Sequence, residues 1–519
     1  MIKKGKIVLC LILVVMLSLT GCQGNTPNSV TETNDGNGEK ELKDTITFAQ
    51  GADITSLDPQ IGKELRACYV STQIYDTLVK FDDDMQLQPS IAKSWEILSD
   101  TQFKFNLRDD VKFHNGDLLT ADDVKFSIER TINSSYVANY VDFIESVEKV
   151  DDYTVIINTK EPYAATLTTF TTPPTSIVPK KVVEADEKGF ALNPVGTGPY
   201  KFVEWKQGEY CKLEAFDDYF LGKPETKYVI MKVVPENSQR TILLETGEID
   251  AAYEVLPNDI SKIEDNSNLT ALKELSFKSI DLELNNESDG PLSNKLVRKA
   301  ISRAIDKDAI VSAVINNAGQ SASTPVAPGL FGYNNKLPTN LYNIEEAKKL
   351  LKEAGYENGF DMNLWTDNNQ TYLEICQIVQ SQLLELGINV NIETIEYGTL
   401  LTRVKDGSDP NYDASIKFFN TITGDGGFTL YNNYYTDSVS NTSHYSNAEV
   451  DKLLLEGRST LDENKRIEAY NGVYEILSED VPTISFYYEE MCVGVSNKVE
   501  GFKLNKAGYH KYKDVKIYK

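Results

Sequence analysis

Side chains able to do acid–base, metal or nucleophilic chemistry do not gather anywhere in this chain of 519 residues. The histidines, His114, His444 and His510, stand far apart, and none has a Cys or Asp at metal-ligand spacing. There is no HExxH, no GxSxG and no phosphate-binding Gly-Lys-Ser/Thr step. Asp and Glu number 78, but isolated carboxylates at this density are solvated surface far more often than acids or bases. With nothing like an activated nucleophile, a secreted hydrolase is disfavoured. One stretch suggests binding instead. Lys417 to Tyr431, KFFNTITGDGGFTLY, is polar and Gly-rich between apolar segments, as a loop lining a cleft would be, and it carries Asn420, Thr423, Gly424, Asp425 and Gly426. Phe418, Phe419, Tyr431, Tyr434 and Tyr435 flank it as candidate side-chain pockets or as ordinary packing. From residue types alone, Asp425 between two glycines also fits a plain turn.

The elements that must carry this loop begin after an N-terminal preamble. Lys3, Lys4 and Lys6 precede an apolar run, Ile7 to Leu19, too short to span a bilayer and suited to a secretory signal. Leu19-Thr20-Gly21-Cys22 resembles a bacterial lipoprotein box, which implies cleavage after residue 21 and diacylation of Cys22. Residues 22–43, rich in Asn, Thr, Gly, Glu and Ser, cannot bury enough apolar surface to order themselves and are expected to form a flexible tether. The remaining body is too long for one core. The whole chain's formal charge of −26 becomes −29 without the leader's Lys3, Lys4 and Lys6, which argues against nucleic acid and against docking on anionic lipid. Cys68, Cys211, Cys376 and Cys492 show no CxxC spacing and are expected to be buried free thiols.

Periodicity then places the elements. Phe103, Phe105 and Leu107 alternate with Lys104, Asn106 and Arg108 as a half-buried strand, and Val111 to Phe113 is expected to be a second short one before the turn His114-Asn115-Gly116-Asp117. Thr120 caps a helix bearing Val124, Phe126, Ile128 and Ile132. Thr45 to Gln50, Tyr153 to Asn158, Ser279 to Leu284, Ile388 to Ile392 and Thr483 to Tyr488 are expected strands. Leu292 to Val314, Glu345 to Gly355, Tyr372 to Leu386, Glu449 to Arg458 and Glu463 to Leu477 are expected helices.

Several fixed spacings carry a resemblance: Ser94-Trp95, Phe105-x-Leu107-Arg108-x-x-Val111-x-Phe113-His114-x-Gly116, Thr120-Ala121-x-Asp123-Val124-x-Phe126-Ser127, and Asn193-Pro194-Val195-Gly196-Thr197-Gly198-Pro199-Tyr200. Together they resemble the solute-binding proteins of peptide and nickel ABC importers. These residues read as packing, caps and turns, so they identify a scaffold and not a ligand. The resemblance implies an α/β, two-lobed type II clamshell with mixed sheets flanked by helices and an inserted domain. Domain I would take residues 44–64, 186–285 and 489–519, domain II residues 65–185, and domain III, the second lobe, residues 286–488. Two crossings near Leu284 and Tyr488 would form the hinge. It further implies a lipid-anchored extracytoplasmic receptor that captures oligopeptides and hands them to ABC permease subunits, as a monomer, without cofactor or catalysis. In the peptide-binding branch an aspartate at a Thr-Gly-Asp step pairs with the ligand's α-ammonium; here that is Asp425. Leu57, in Ser56-Leu57-Asp58-Pro59, would border the cleft, as would Thr197 and Trp365, while Gly196 and Gly198 would let the backbone approach either the cleft or a neighbouring loop. Where the dipeptide branch has an arginine after Leu-Trp, this chain reads Thr366, which favours a ligand of less restricted length. The alternative cargo on the same scaffold is nickel chelated by a small organic ligand or His.

Overall fold

A computed structural model describes residues 41–61, 65–287, 290–406 and 409–519. The expected signal peptide, Cys22 and most of the tether lie outside the described residues. The tether's last residues are not free: Leu42 bridges Tyr518, and Lys43 ion-pairs with Asp250 at 2.9 Å. Among the described residues no helix is long and apolar enough to cross a membrane.

Residues 41–519 form one compact unit. Its backbone is an eleven-stranded sheet in which two long neighbours, Leu269–Leu284 and Thr483–Ser496, run antiparallel through the middle. On one flank lie Ala251–Ala252, Thr45–Gln50, Tyr228–Val233, Tyr210–Ala215 and Tyr200–Lys206, in that order. The other flank holds Ala414–Asn420, Asp361–Thr366 and Asn389–Thr394. The expected short strands at 279–284 and 483–488 are therefore halves of longer ones. Their pairing slips between Leu275 and Ser279, opposite Glu490 and Tyr488, so a bulge divides the sheet into two arms.

Each arm has its own apolar core. Ile46, Phe48, Tyr69, Tyr253, Tyr512 and neighbours fill one, while Leu282, Val297, Ile301, Leu364, Val379 and Phe486 fill the other. Period-2 alternation explains the second core only in part. Ile280, Leu282 and Leu284 enter it, but the opposite face, Ser279, Asp281 and Glu283, is also buried. That face is satisfied by polar neighbours: Ser279 Oγ donates to Asp281 Oδ2 at 2.6 Å, and Lys417 Nζ to Glu283 at 3.0 Å. Burial pushes the Asp281 carboxyl up to about 7 despite hydrogen bonds from Ser279 and Ser485.

A separate four-stranded sheet carries the Ala92–Ile132 stretch: Ala92–Ser99, Gln102–Leu107, Thr154–Thr159 and Ile144–Asp151. Phe103, Phe105 and Leu107 point into its core as the alternation requires. Val111 to Phe113 is not a strand. The Gly116 turn closes so tightly that only the Lys112–Leu118 bridge forms. The helix Ala121–Ile132 starts as expected, with the Thr120 N–H donating to Asp123 Oδ2 at 3.0 Å. Leu292 to Val314 is not one helix either: Asp306 caps a second, Lys307–Ile315, after Lys295–Ala304 ends. Cys211, Cys376 and Cys492 are free and buried, and Cys68 is buried.

His114 fastens two of the characteristic stretches together. Its Nδ1 accepts the Gly196 N–H at 3.3 Å, its Nε2 lies 2.9 Å from the Gly198 carbonyl, and its own N–H donates to Gly196 O at 2.8 Å. Burial lowers its pKa to about 4, so the ring is neutral with the proton on Nε2. Gly196 and Gly198 are needed for close approach: a Cβ would stand 2.0 Å from Ile74 O and 2.4 Å from Gln73 O respectively.

Candidate ligand-binding site

Strand direction locates the site before any side chain does. Thr45–Gln50 runs parallel to Tyr228–Val233 and to Ala251–Ala252, and the last of these is antiparallel to Thr483–Ser496. In the other arm Asp361–Thr366 is parallel to Asn389–Thr394 and Ala414–Asn420, and the last is antiparallel to Leu269–Leu284. These pairings aim the carboxyl ends of both parallel sets at the bulge, from opposite sides. Ligands of open α/β sheets bind beyond strand carboxyl ends. The crevice so defined is bordered by Gln50, Gly51 and Glu254 on one side and by Asn420 to Asp425 on the other, with Lys278 and Glu489 between.

Lys278 Nζ lies 3.0 Å from Glu489 and 5.2 Å from the Phe418 ring centroid. Burial alone would lower its pKa, yet Glu489 and Tyr372 raise it, so it stays an ammonium. On the first arm Glu254 is held with φ at 56°, a strained conformation for a side chain of its size. Arg66 pairs with it at 2.6 Å and the buried Arg240 at 3.4 Å.

The stretch expected to be a loop is mostly regular. It is the end of strand Ala414–Asn420, a tight passage through Gly424 at φ 71°, and helix Gly426–Tyr434. Asp425 caps that helix: Oδ1 accepts the Gly427 N–H at 2.8 Å, while Oδ2 lies 2.5 Å from Arg466 Nη2. Both residues are buried, and Arg466 also stacks over Phe331 at 4.2 Å. The expected free acceptor for an ammonium is therefore a carboxylate whose charge is already met. The local reason is the helix N-terminus, whose unpaired N–H groups attract an Asp side chain.

The other expected residues fall into two groups. Leu57 and Trp365 are wholly buried, the latter stacked on Tyr412 and under Arg403. Thr197 is buried with its hydroxyl donating to Asp76 at 3.1 Å, and the Gly198 N–H donates to Ile74 O. These four belong to packing. Asn420, Gly424 and Tyr431 are partly exposed, Gly426 is buried against Val326, and the buried Thr423 hydroxyl has no partner among the described residues. Segment 65–185 also reaches this place: Tyr140 stacks on Phe428 at 6.4 Å, and the Ala164 N–H donates to the Arg458 carbonyl at 2.8 Å. Arg458, Arg466, Lys278, Glu489, Glu254 and Tyr140 escaped sequence reasoning, because nothing local marks a residue whose partner is far along the chain. No group of three His, Cys, Asp or Glu able to hold a metal occurs among the described residues.

Residues 86–441 match the model of bacterial extracellular solute-binding proteins, family 5. The chain is 31% identical over 474 residues to a glutathione-binding protein of Pectobacterium atrosepticum, covering 89% of this chain and 91% of the relative. Among solved structures it is similar to an ABC transporter-associated periplasmic binding protein of Helicobacter pylori in complex with the peptide STSA. The TM-score is 0.80 and the identity 28%, over 92% and 99% of the two chains. It is also similar to a Campylobacter jejuni protein in complex with Ni(L-His), with a TM-score of 0.77 and 27% identity over 90% and 97%. Three cargoes at nearly equal similarity show that the scaffold does not choose the ligand. The α/β architecture is that of type II periplasmic binding proteins. With opposed strand ends, a bulged pair of crossovers and this match over most of its length, the chain belongs to the family 5 bacterial extracellular solute-binding proteins, receptors of ABC importers and not enzymes.

Proposed function

We propose that this protein captures oligopeptides between its two arms outside the cytoplasm and delivers them to ABC permease subunits, tethered to the membrane through a diacylated Cys22. The observation that carries the reading is the opposition of two sets of strand carboxyl ends across the bulge at 276–278. An extended peptide laid there can pair its backbone with both arms while side chains enter hydrated pockets. Domain I (44–64, 186–285, 489–519) and domain III (286–488) would close about that bulge, with domain II (65–185) moving as an insertion, and the receptor would work as a monomer. Asp425 acts here by shaping the wall through its cap and Arg466, and the unpartnered Thr423 hydroxyl beside it is the polar contact offered to cargo.

Mass spectrometry of whatever co-purifies, followed by calorimetry with a mixed library of four- to nine-residue peptides, tests this. Peptide cargo and micromolar or tighter binding are expected; no binding by any library member overturns it. A nickel chelate is the second reading, favoured by the Campylobacter jejuni neighbour's cargo. Stoichiometric nickel in the purified protein together with absence of peptide would establish it in place of the first.

A further inference from the structure

Arg458 is unlike every other arginine of the chain. Arg66, Arg108, Arg130, Arg240, Arg298, Arg303, Arg403 and Arg466 each give guanidinium N–H groups to a carboxylate or a carbonyl. The Arg458 guanidinium has no hydrogen-bond acceptor and no carboxylate at ion-pair distance among the described residues; its contacts are two ring faces. Its carbon lies 4.6 Å from the Tyr163 centroid and 4.2 Å from that of Tyr431, and Tyr431 in turn stacks on Tyr435 at 4.6 Å. Tyr163 comes from segment 65–185 and Tyr431 from the helix that Asp425 caps, so the cation sits beside the candidate site and between two parts of the chain. Asp142 and Asp437 are near enough to act on the Tyr431 phenol, yet neither reaches Arg458.

We infer that Arg458 is a specificity-determining residue that receives a carboxylate of the cargo, an inference that rests on the peptide reading above. A guanidinium laid over rings keeps its N–H edge in the plane, where it fits a carboxylate bidentately. The stacks also fix the side chain before binding, so little rotamer freedom remains to be lost. The missing arginine after Leu364-Trp365 does not leave the site without a carboxylate partner; it moves that partner to the end of helix Ala448–Ser459.

Two peptide pools of four to nine residues, one with free C-termini and one amidated, each made with and without Asp and Glu, are equilibrated with the parent, Arg458→Gln and Arg458→Lys. Bound fractions are read by mass spectrometry. The parent favours carboxylate-bearing peptides over Asp/Glu-free amides on the order of ten- to hundredfold. Arg458→Gln abolishes that preference, and Arg458→Lys keeps part of it. A merely structural arginine would lower retention of all pools together. Preference surviving in amides that contain Asp or Glu assigns the carboxylate to a side chain, and preference for free acids without Asp or Glu assigns it to the C-terminus. Equal retention of acids and Asp/Glu-free amides by the parent, or an unchanged preference in Arg458→Gln, overturns the inference while leaving peptide capture intact. Retention of no pool by the parent overturns both.

Discussion

The seam around His114 and the wall around Asp425 both lie under Gly-rich segments, and they differ in how their polar groups are spent. At the seam each partner is protein: His114 with Gly196 and Gly198, Thr197 with Asp76, Gly198 with Ile74. Along the wall the Asp425–Arg466 pair is equally closed, but among the described residues the buried Thr423 hydroxyl has no partner and the Arg458 guanidinium meets only rings. Dense motif spacing thus marks where the scaffold is stitched, while the proposed cargo wall keeps polar groups unspent. Buried polar atoms rarely stay unsatisfied at no cost, and although others such as Ser71, Thr241 and His510 lie elsewhere, the Thr423 hydroxyl is the one on this wall.

The sharpest way to break this contrast is Asp425→Ala. If the carboxylate is structural, the variant loses a cap and leaves Arg466 buried without its counter-charge, and urea unfolding should show a loss of roughly 3–5 kcal/mol. A variant that unfolds like the parent would reopen the direct ammonium role. Replacing both residues, as Asp425→Ala with Arg466→Met, should cost less than the single change, because no orphaned cation remains.

Next in size is the seam. Gly196→Ala places a Cβ where Ile74 O already is, and an overpacking loss of about 1–3 kcal/mol is expected in the same unfolding assay. His114 sharpens the comparison through pH. Its folded pKa, about 4, lies below its unfolded value of 6.5, so the unfolded chain binds more protons between them and the His114 contribution to stability falls as pH drops through that window. Asp281, raised from 3.8 to about 7, contributes the opposite slope, stability falling as pH rises between those values. The difference between parent and His114→Gln isolates the first: the parent's excess should shrink by about 1.4 kcal/mol per pH unit on acidification from 6.5 to 4. A pH-independent difference would show that the ring is not held neutral.

The smallest effect belongs to the crevice floor. Lys278 and Glu489 keep 26% and 41% of their side chains exposed, so Glu489→Gln should alter stability by less than about 1 kcal/mol. A larger loss would mean that the pair braces the bulge itself.

Much of the scaffold was legible. The alternation at Phe103 to Leu107, the cap at Thr120 and the stop at Gly355 each depend on neighbours within a turn or a strand face, and each appears where the pattern puts it. The site was less so. Read locally, Thr423 to Gly427 is a turn with an inviting aspartate; in the folded chain the same residues begin a helix and Asp425 meets Arg466, 41 positions away.

The sequence by itself determined the family and most of the elements, because period, capping and spacing are short-range properties written in adjacent residues. Only the tertiary structure decided which charges are spent and which remain. That depends on pairs such as Arg458 with Tyr163 and Glu254 with Arg66 and Arg240, brought together across long loops whose closure is driven by the burial of whole cores and leaves no mark on the residues beside them.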